Sequence, residues 1–202
     1  ARQELGIDRR PLILSVGRSL GAGRINEAMA QVIARSVKDG RFQHIHATGK
    51  AGWESTCTRL RDLGVPEKAP GITVREYIDD MPRCMAASDL VISRCGAMTF
   101  SELPAAGKPS ILIPSPNVAE NHQYHNAMAL VRKGAAVCIE EKELTPDRLW
   151  QEIERIASSP EELRRMGENA RRGAILDAGD RIYAVIEAVL QNGGKLPPDF
   201  GK

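Results

Sequence analysis

The chain has 202 residues, with 28 Lys and Arg against 26 Asp and Glu, a formal net charge of +2, 42% apolar residues and 27% charged ones. These values match a globular domain with one well-buried core, or at most two small ones, and exclude disorder as the main state. Near-balanced charge and an aromatic content of only 4% argue against a nucleic-acid partner, which would need a basic field or base-stacking platforms.

In chain order, residues 1–5 look like the tail of a helix stopped by Gly6. With Ala rather than Met at position 1, the chain reads as a fragment of a longer protein. A buried strand is expected over 11–17 (PLILSVG), then a helix over 25–37 with Ile25, Ala28, Met29, Val32, Ile33 and Ser36 at helical spacing. A strand over 42–48 follows, then a charged helix over 53–63 ended by Gly64, an extended segment over 72–77 and a short helix over 81–87. Next come a strand over 90–93, a helix over 99–106 closed by Gly107, a strand over 110–113, a helix over 122–132 stopped by Gly134, and a strand over 135–139. Helices over 146–157, 160–170 and about 175–190 complete a domain spanning 1–192, and 193–202 reads as a frayed tail. No apolar run approaches the ~20 residues of a membrane span, and the charged N-terminus is not a signal peptide. Cys57, Cys84, Cys95 and Cys138 form no CxxC pair, which predicts free thiols in a reduced cytosolic setting and no zinc site.

Strand and helix alternate about six times with short connections. That pattern predicts an α/β domain: an open, mostly parallel, Rossmann-like sheet with helices on both faces. Ligands of such sheets bind outside the carboxyl ends of the strands. The loops that matter are therefore 17–24, 48–53, 77–81, 93–99 and 114–122.

Four of these loops carry informative residues. Gly17-Arg18-Ser19-Leu20-Gly21-Ala22-Gly23 can present backbone N–H groups and the Ser19 hydroxyl to a phosphate, or it can be a tight turn. Its spacing fits neither the Walker loop nor the GxGxxG fingerprint, which counts against a dinucleotide-dependent oxidoreductase. In Ser93-Arg94-Cys95-Gly96-Ala97-Met98-Thr99-Phe100-Ser101-Glu102, the N–H groups of Met98 and Thr99 open a helix and can grip a phosphate. Thr99 and Glu102, three apart, share a helical face. A carboxylate beside a phosphate site suits a ribose diol; alternatively Glu102 complements the helix dipole. In Asn121-His122-Gln123-Tyr124-His125-Asn126, amides and imidazole suit neutral hydroxyls, and the i, i+3 histidines lack the carboxylate pattern of a metal site. Adjacent Asp79 and Asp80 can hold a divalent ion, but in a turn before a helix they read rather as N-capping chemistry, with Asp79 or Asp80 as the cap. His44 and His46 alternate on one strand face, in a structural or solvated role.

Together the Arg-Ile-Asn after the glycine turn, YIDDM, SRCGAMTFSE, PSILIPSP, NHQYHNA and GAA resemble the C-terminal half of the MurG family of bacterial glycosyltransferases, within the GT-B superfamily, over about residues 10–190. The resemblance implies a donor-binding domain for transfer of N-acetylglucosamine from UDP-GlcNAc to undecaprenyl-pyrophosphoryl-N-acetylmuramoyl-pentapeptide. It implies the backbone near Ile78 at the uracil, Glu102 at the ribose, and Ser19 with the backbone of Met98 and Thr99 at the pyrophosphate. His122 and Gln123 would contact the sugar hydroxyls, and Arg94 would line the same cleft. It also implies no metal or other cofactor. The lipid-linked acceptor, the general base and contact with the cytoplasmic membrane surface would belong to an N-terminal domain absent from this chain. Three departures from the family pattern are Arg18, where a second glycine is usual, Pro104 inside the helix after Glu102, and His122 in a place often held by Gln. A stand-alone nucleotide-sugar-binding subunit, or another GT-B enzyme with a different acceptor, is the alternative.

Overall fold

The structure, a computed structural model, describes residues 1–17 and 23–195. Among these, six strands form one parallel sheet: β1 (Leu12–Val16), β2 (Gln43–Ala47), β3 (Ile72–Arg75), β4 (Leu90–Ser93), β5 (Ser110–Leu112) and β6 (Ala136–Cys138). Their order is β3-β2-β1-β4-β5-β6. The helices are α1 (Gly23–Asp39), α2 (Trp53–Asp62), α3 (Met81–Ala87), α4 (Ala97–Ala106), α5 (His122–Arg132), α6 (Pro146–Ala157), α7 (Pro160–Arg171) and α8 (Ala178–Gln191).

Side-chain alternation along β1 assigns the two faces of the sheet. Ile13 joins a core with Ile25 and Met29 of α1, Leu60 of α2, Ile153 of α6 and Met166 of α7. Leu12 and Leu14 join the opposite core, with Met85 of α3, Leu103 of α4 and Leu130 of α5. Strands buried on both faces must be apolar nearly throughout, which is why LILSV and LVIS were legible as strands. Helix ends follow local chemistry. Thr145 and Ser159 each precede a proline and accept a hydrogen bond from the backbone N–H three residues on, at 3.1 and 3.2 Å. α4 closes at Gly107, whose φ of +61° only glycine adopts at little cost.

The expected elements are all present, with ends that shift by at most three residues. Of three local expectations, one changes. Residues 1–7 form one helical turn, Leu5 N–H to Ala1 O at 3.1 Å, stopped at Gly6 (φ +67°) as expected, with Gly6 N–H to Gln3 O at 3.1 Å and Ile7 N–H to Arg2 O at 2.9 Å closing the end. Asp80 occupies the N-cap position of α3 but its side chain does not cap; it pairs with Arg75 at 3.1 Å and accepts from Cys84 Sγ at 3.5 Å. The neighbouring guanidinium outcompetes the backbone amides because it offers a full charge. Pro104 lies inside α4 without ending it.

Candidate ligand-binding site

β1 is the start of two opposite directions of growth: β2 and β3 extend the sheet on one side, β4 to β6 on the other. At such a switch point the loops after neighbouring strands diverge and leave a crevice. A cavity of about 460 Å³ and one of about 610 Å³ open at this edge. The larger has Val16 and Gly17 at the end of β1, Ala47 at the end of β2 and Ser93 at the end of β4 for its floor.

Its walls hold four of the side chains singled out in the sequence: Ile78, Arg94, Thr99 and Glu102. Ile78 follows β3 and is buried in the core against α3. Thr99 and Glu102 project from α4 onto the same cavity, as three-residue spacing on a helix requires; Thr99 is buried and Glu102 is exposed at the rim. α4 begins at Gly96, which has no side chain to cap it, so the first N–H groups of the helix, including those of Met98 and Thr99, have no intrahelical partner. These donors and the positive end of the helix dipole make that end of the cavity suitable for an anion. The Met98 side chain itself points to solvent, 59% exposed.

Arg94 is 6% exposed. Its Nη1 donates to the carbonyls of Ile113 and Pro114, at 3.1 and 3.2 Å, and its Nη2 pairs with Glu141. The guanidinium thus lines the cavity while it ties together the loops after β5 and β6.

His122 and Gln123 lie apart from the lining of the larger cavity. They open α5 just after Glu120 and Asn121, both in the left-handed region at φ +50° and +51°. His122 Nδ1 donates to Ala119 O at 2.9 Å, and Gln123 Oε1 accepts from Ser115 N–H at 3.0 Å. Their neighbours Asn121 and Tyr124 line the smaller cavity, with Ser115, Arg24 and Glu141. Ser19, with most of the glycine-rich turn, lies outside the described residues.

Other candidate chemistry is absent or quenched. Burial pushes the Cys95 thiol up to about 12 and that of Cys138 up to about 11, so neither is a thiolate nucleophile near neutral pH. Among the described residues, no three His, Cys, Asp or Glu side chains gather to hold a metal ion, and no helix is long and apolar enough to cross a membrane. Tyr77, which opens the YIDDM motif but was given no role in the sequence, is 71% exposed and lines the larger cavity beside Ile78. One residue escaped the sequence reading. Glu141 reaches Arg94 from 47 positions away and has no local signal.

A family model for the glycosyltransferase family 28 C-terminal domain matches residues 12–182. The chain belongs to this family. Over 193 residues it is 45% identical to the UDP-N-acetylglucosamine--N-acetylmuramyl-(pentapeptide) pyrophosphoryl-undecaprenol N-acetylglucosamine transferase of Acetivibrio thermocellus, an alignment covering 95% of this chain and 51% of the relative. The enzyme of the same name from Desulforamulus reducens is 40% identical, over 88% of this chain and 48% of its own length. The crystal structure of Acinetobacter baumannii MurG superposes with a TM-score of 0.77 at 28% identity, covering 89% of this chain and 52% of that one. The family 28 domain described here therefore spans about half the length of the curated relatives it matches. Its Rossmann-like sheet is the one expected from the β–α alternation, and it matches the GT-B half that the family resemblance implied.

Proposed function

We propose that residues 1–192 form the donor-binding half of an N-acetylglucosaminyltransferase. The complete enzyme would carry N-acetylglucosamine from UDP-GlcNAc to undecaprenyl-pyrophosphoryl-N-acetylmuramoyl-pentapeptide. The observation that carries this reading is the convergence of Ile78, Glu102 and the uncapped first turn of α4 on one cavity at the switch point of the sheet. The printed names of the relatives supply the substrate.

In this reading the backbone of Ile78 meets the uracil edge and Glu102 accepts hydrogen bonds from both ribose hydroxyls. The N–H groups of Met98 and Thr99, with Ser19, hold the diphosphate. His122 and Gln123 meet the hydroxyls of N-acetylglucosamine at the side of the smaller cavity. As the glycosidic bond to UDP breaks, negative charge grows on the departing diphosphate, and the positive end of α4 lies where that charge develops. These dipoles take the role a metal would otherwise play, so a chelator leaves donor binding intact. The acceptor site, the general base and any membrane contact are assigned to the part of the relatives that this chain does not span.

Calorimetric titration of UDP-GlcNAc into the wild-type chain and Glu102→Ala tests the assignment. Loss of hydrogen bonds to a charged acceptor costs about 1.5–3 kcal/mol, a weakening of roughly 10- to 150-fold. An unchanged affinity removes Glu102 from the site, and no binding by the wild type removes the reading itself.

A further inference from the structure

Arg94 and Glu141 form a nearly dehydrated ion pair, with side chains 7% and 18% exposed. Its position gives it a second role. Arg94 faces the larger cavity, and Glu141 and Pro114 face the smaller one. The pair is thus part of the partition between the two. From the loop after β4, one guanidinium holds two carbonyls after β5 and a carboxylate after β6.

We propose that Glu141 is a positioning residue that sets how strongly the larger cavity holds a diphosphate. This rests on the nucleotide-sugar reading above. Both side chains are largely buried, so each charge acts at longer range than it would in solvent. Arg94 alone would place an uncompensated positive charge beside the diphosphate. With Glu141 behind it the pair sums to nearly zero, and the diphosphate is held mainly by the amide dipoles of α4. Glu141 also fixes the guanidinium against the Ile113 and Pro114 carbonyls, so that it shapes the cavity without clamping the ligand. The consequence is a donor pocket that releases the more highly charged product, UDP, more readily than a bare arginine would allow.

The test compares UDP with uridine, which occupies the same base and ribose subsites but carries no phosphate, on the full 202-residue chain. Glu141→Gln keeps the shape and an acceptor for Arg94 while removing the charge. It is expected to raise UDP affinity at least about threefold and to leave uridine affinity within about twofold. Glu141→Asp, which keeps the charge, is expected to restore the wild-type ratio. A merely structural role would weaken both ligands together. An unchanged or reduced ratio of UDP to uridine affinity in Glu141→Gln overturns the proposal. Should that variant not fold, replacement of the pair as a unit by Arg94→Met with Glu141→Met serves instead, since buried pairs tolerate apolar exchange. A ratio within about threefold of wild type then supports neutralisation. A fall of about tenfold shows that Arg94 clamps the diphosphate uncompensated and overturns it. If uridine binds the wild type as expected and the ratio does not respond, only this inference fails; if neither ligand binds, the nucleotide reading fails with it.

Discussion

His44 and His46 project from β2 to the face covered by α1, fully buried. Each ring hydrogen-bonds a serine hydroxyl, His44 Nε2 to Ser36 Oγ at 2.7 Å and His46 Nδ1 to Ser15 Oγ at 2.8 Å. Burial lowers their pKa values to about 3 and about 4. An unfolded histidine titrates near 6.5, so below that pH the unfolded chain binds protons that the folded chain refuses. The contribution of the two rings is therefore fully present above about pH 6.5 and is lost as pH falls toward the folded values. At pH 5 the loss is about 2 kcal/mol per ring. Urea unfolding at pH 7.5 and pH 5.0 is expected to show a clearly lower midpoint at the acid value, and a flat profile contradicts it. The alternation of these residues was legible in the sequence, but their burial was not, because a polar ring reads as exposed until its serine partners are placed. The same divide separates Thr99 and Glu102, whose spacing alone put them on one face, from Glu141, whose partner Arg94 lies 47 positions away and is brought by the fold.

Among the elements, α4 and α7 meet at glycine. A Cβ on Gly167 of α7 would come 2.9 Å from the carbonyl oxygen of Gly107, at the end of α4. That contact is with backbone and does not yield by a side-chain rotation. Gly167→Ala gains about 1 kcal/mol in helix propensity but forces the two helices apart at a cost of about 1–3 kcal/mol. Net destabilisation is expected, read as a lower urea midpoint. A stabilised variant would show that the helices slide freely. α8 behaves differently. Its periodicity was recognised, yet it buries no residue, and Ile182, Tyr183, Ile186 and Leu190 are 50–73% exposed. Helices gain most of their stability from tertiary packing, so amides of α8 are expected to exchange with deuterium at least about a hundredfold faster than those of α1. Equal protection in the two helices would refute this.

For the whole molecule, the order β3-β2-β1-β4-β5-β6 places the cavity, because the crevice forms where the sheet changes its direction of growth. The loops expected to matter after β1, β2, β3 and β4 supply Gly17, Gly49, Ile78 and Arg94 to its lining. The loop after β5 and the start of α5 flank the neighbouring cavity. A protein that holds donor on one half only is expected to bind UDP-GlcNAc without appreciable transfer to the lipid-linked acceptor. Product formation by the 202-residue chain at a rate near that of a full-length relative would overturn that expectation.

The amino-acid sequence by itself determined the alternation of elements, the glycine and proline boundaries, the short-range pairing of Thr99 with Glu102 and the family motifs. All of these depend on residues within a few positions of one another, where backbone geometry and side-chain period act directly. The tertiary structure alone decided which loops share a cavity, that Arg94 is held by Glu141, and that α8 presents its apolar side to solvent. These depend on contacts between segments distant in the chain, and only the order of strands in the sheet, which no local pattern encodes, brings those segments together.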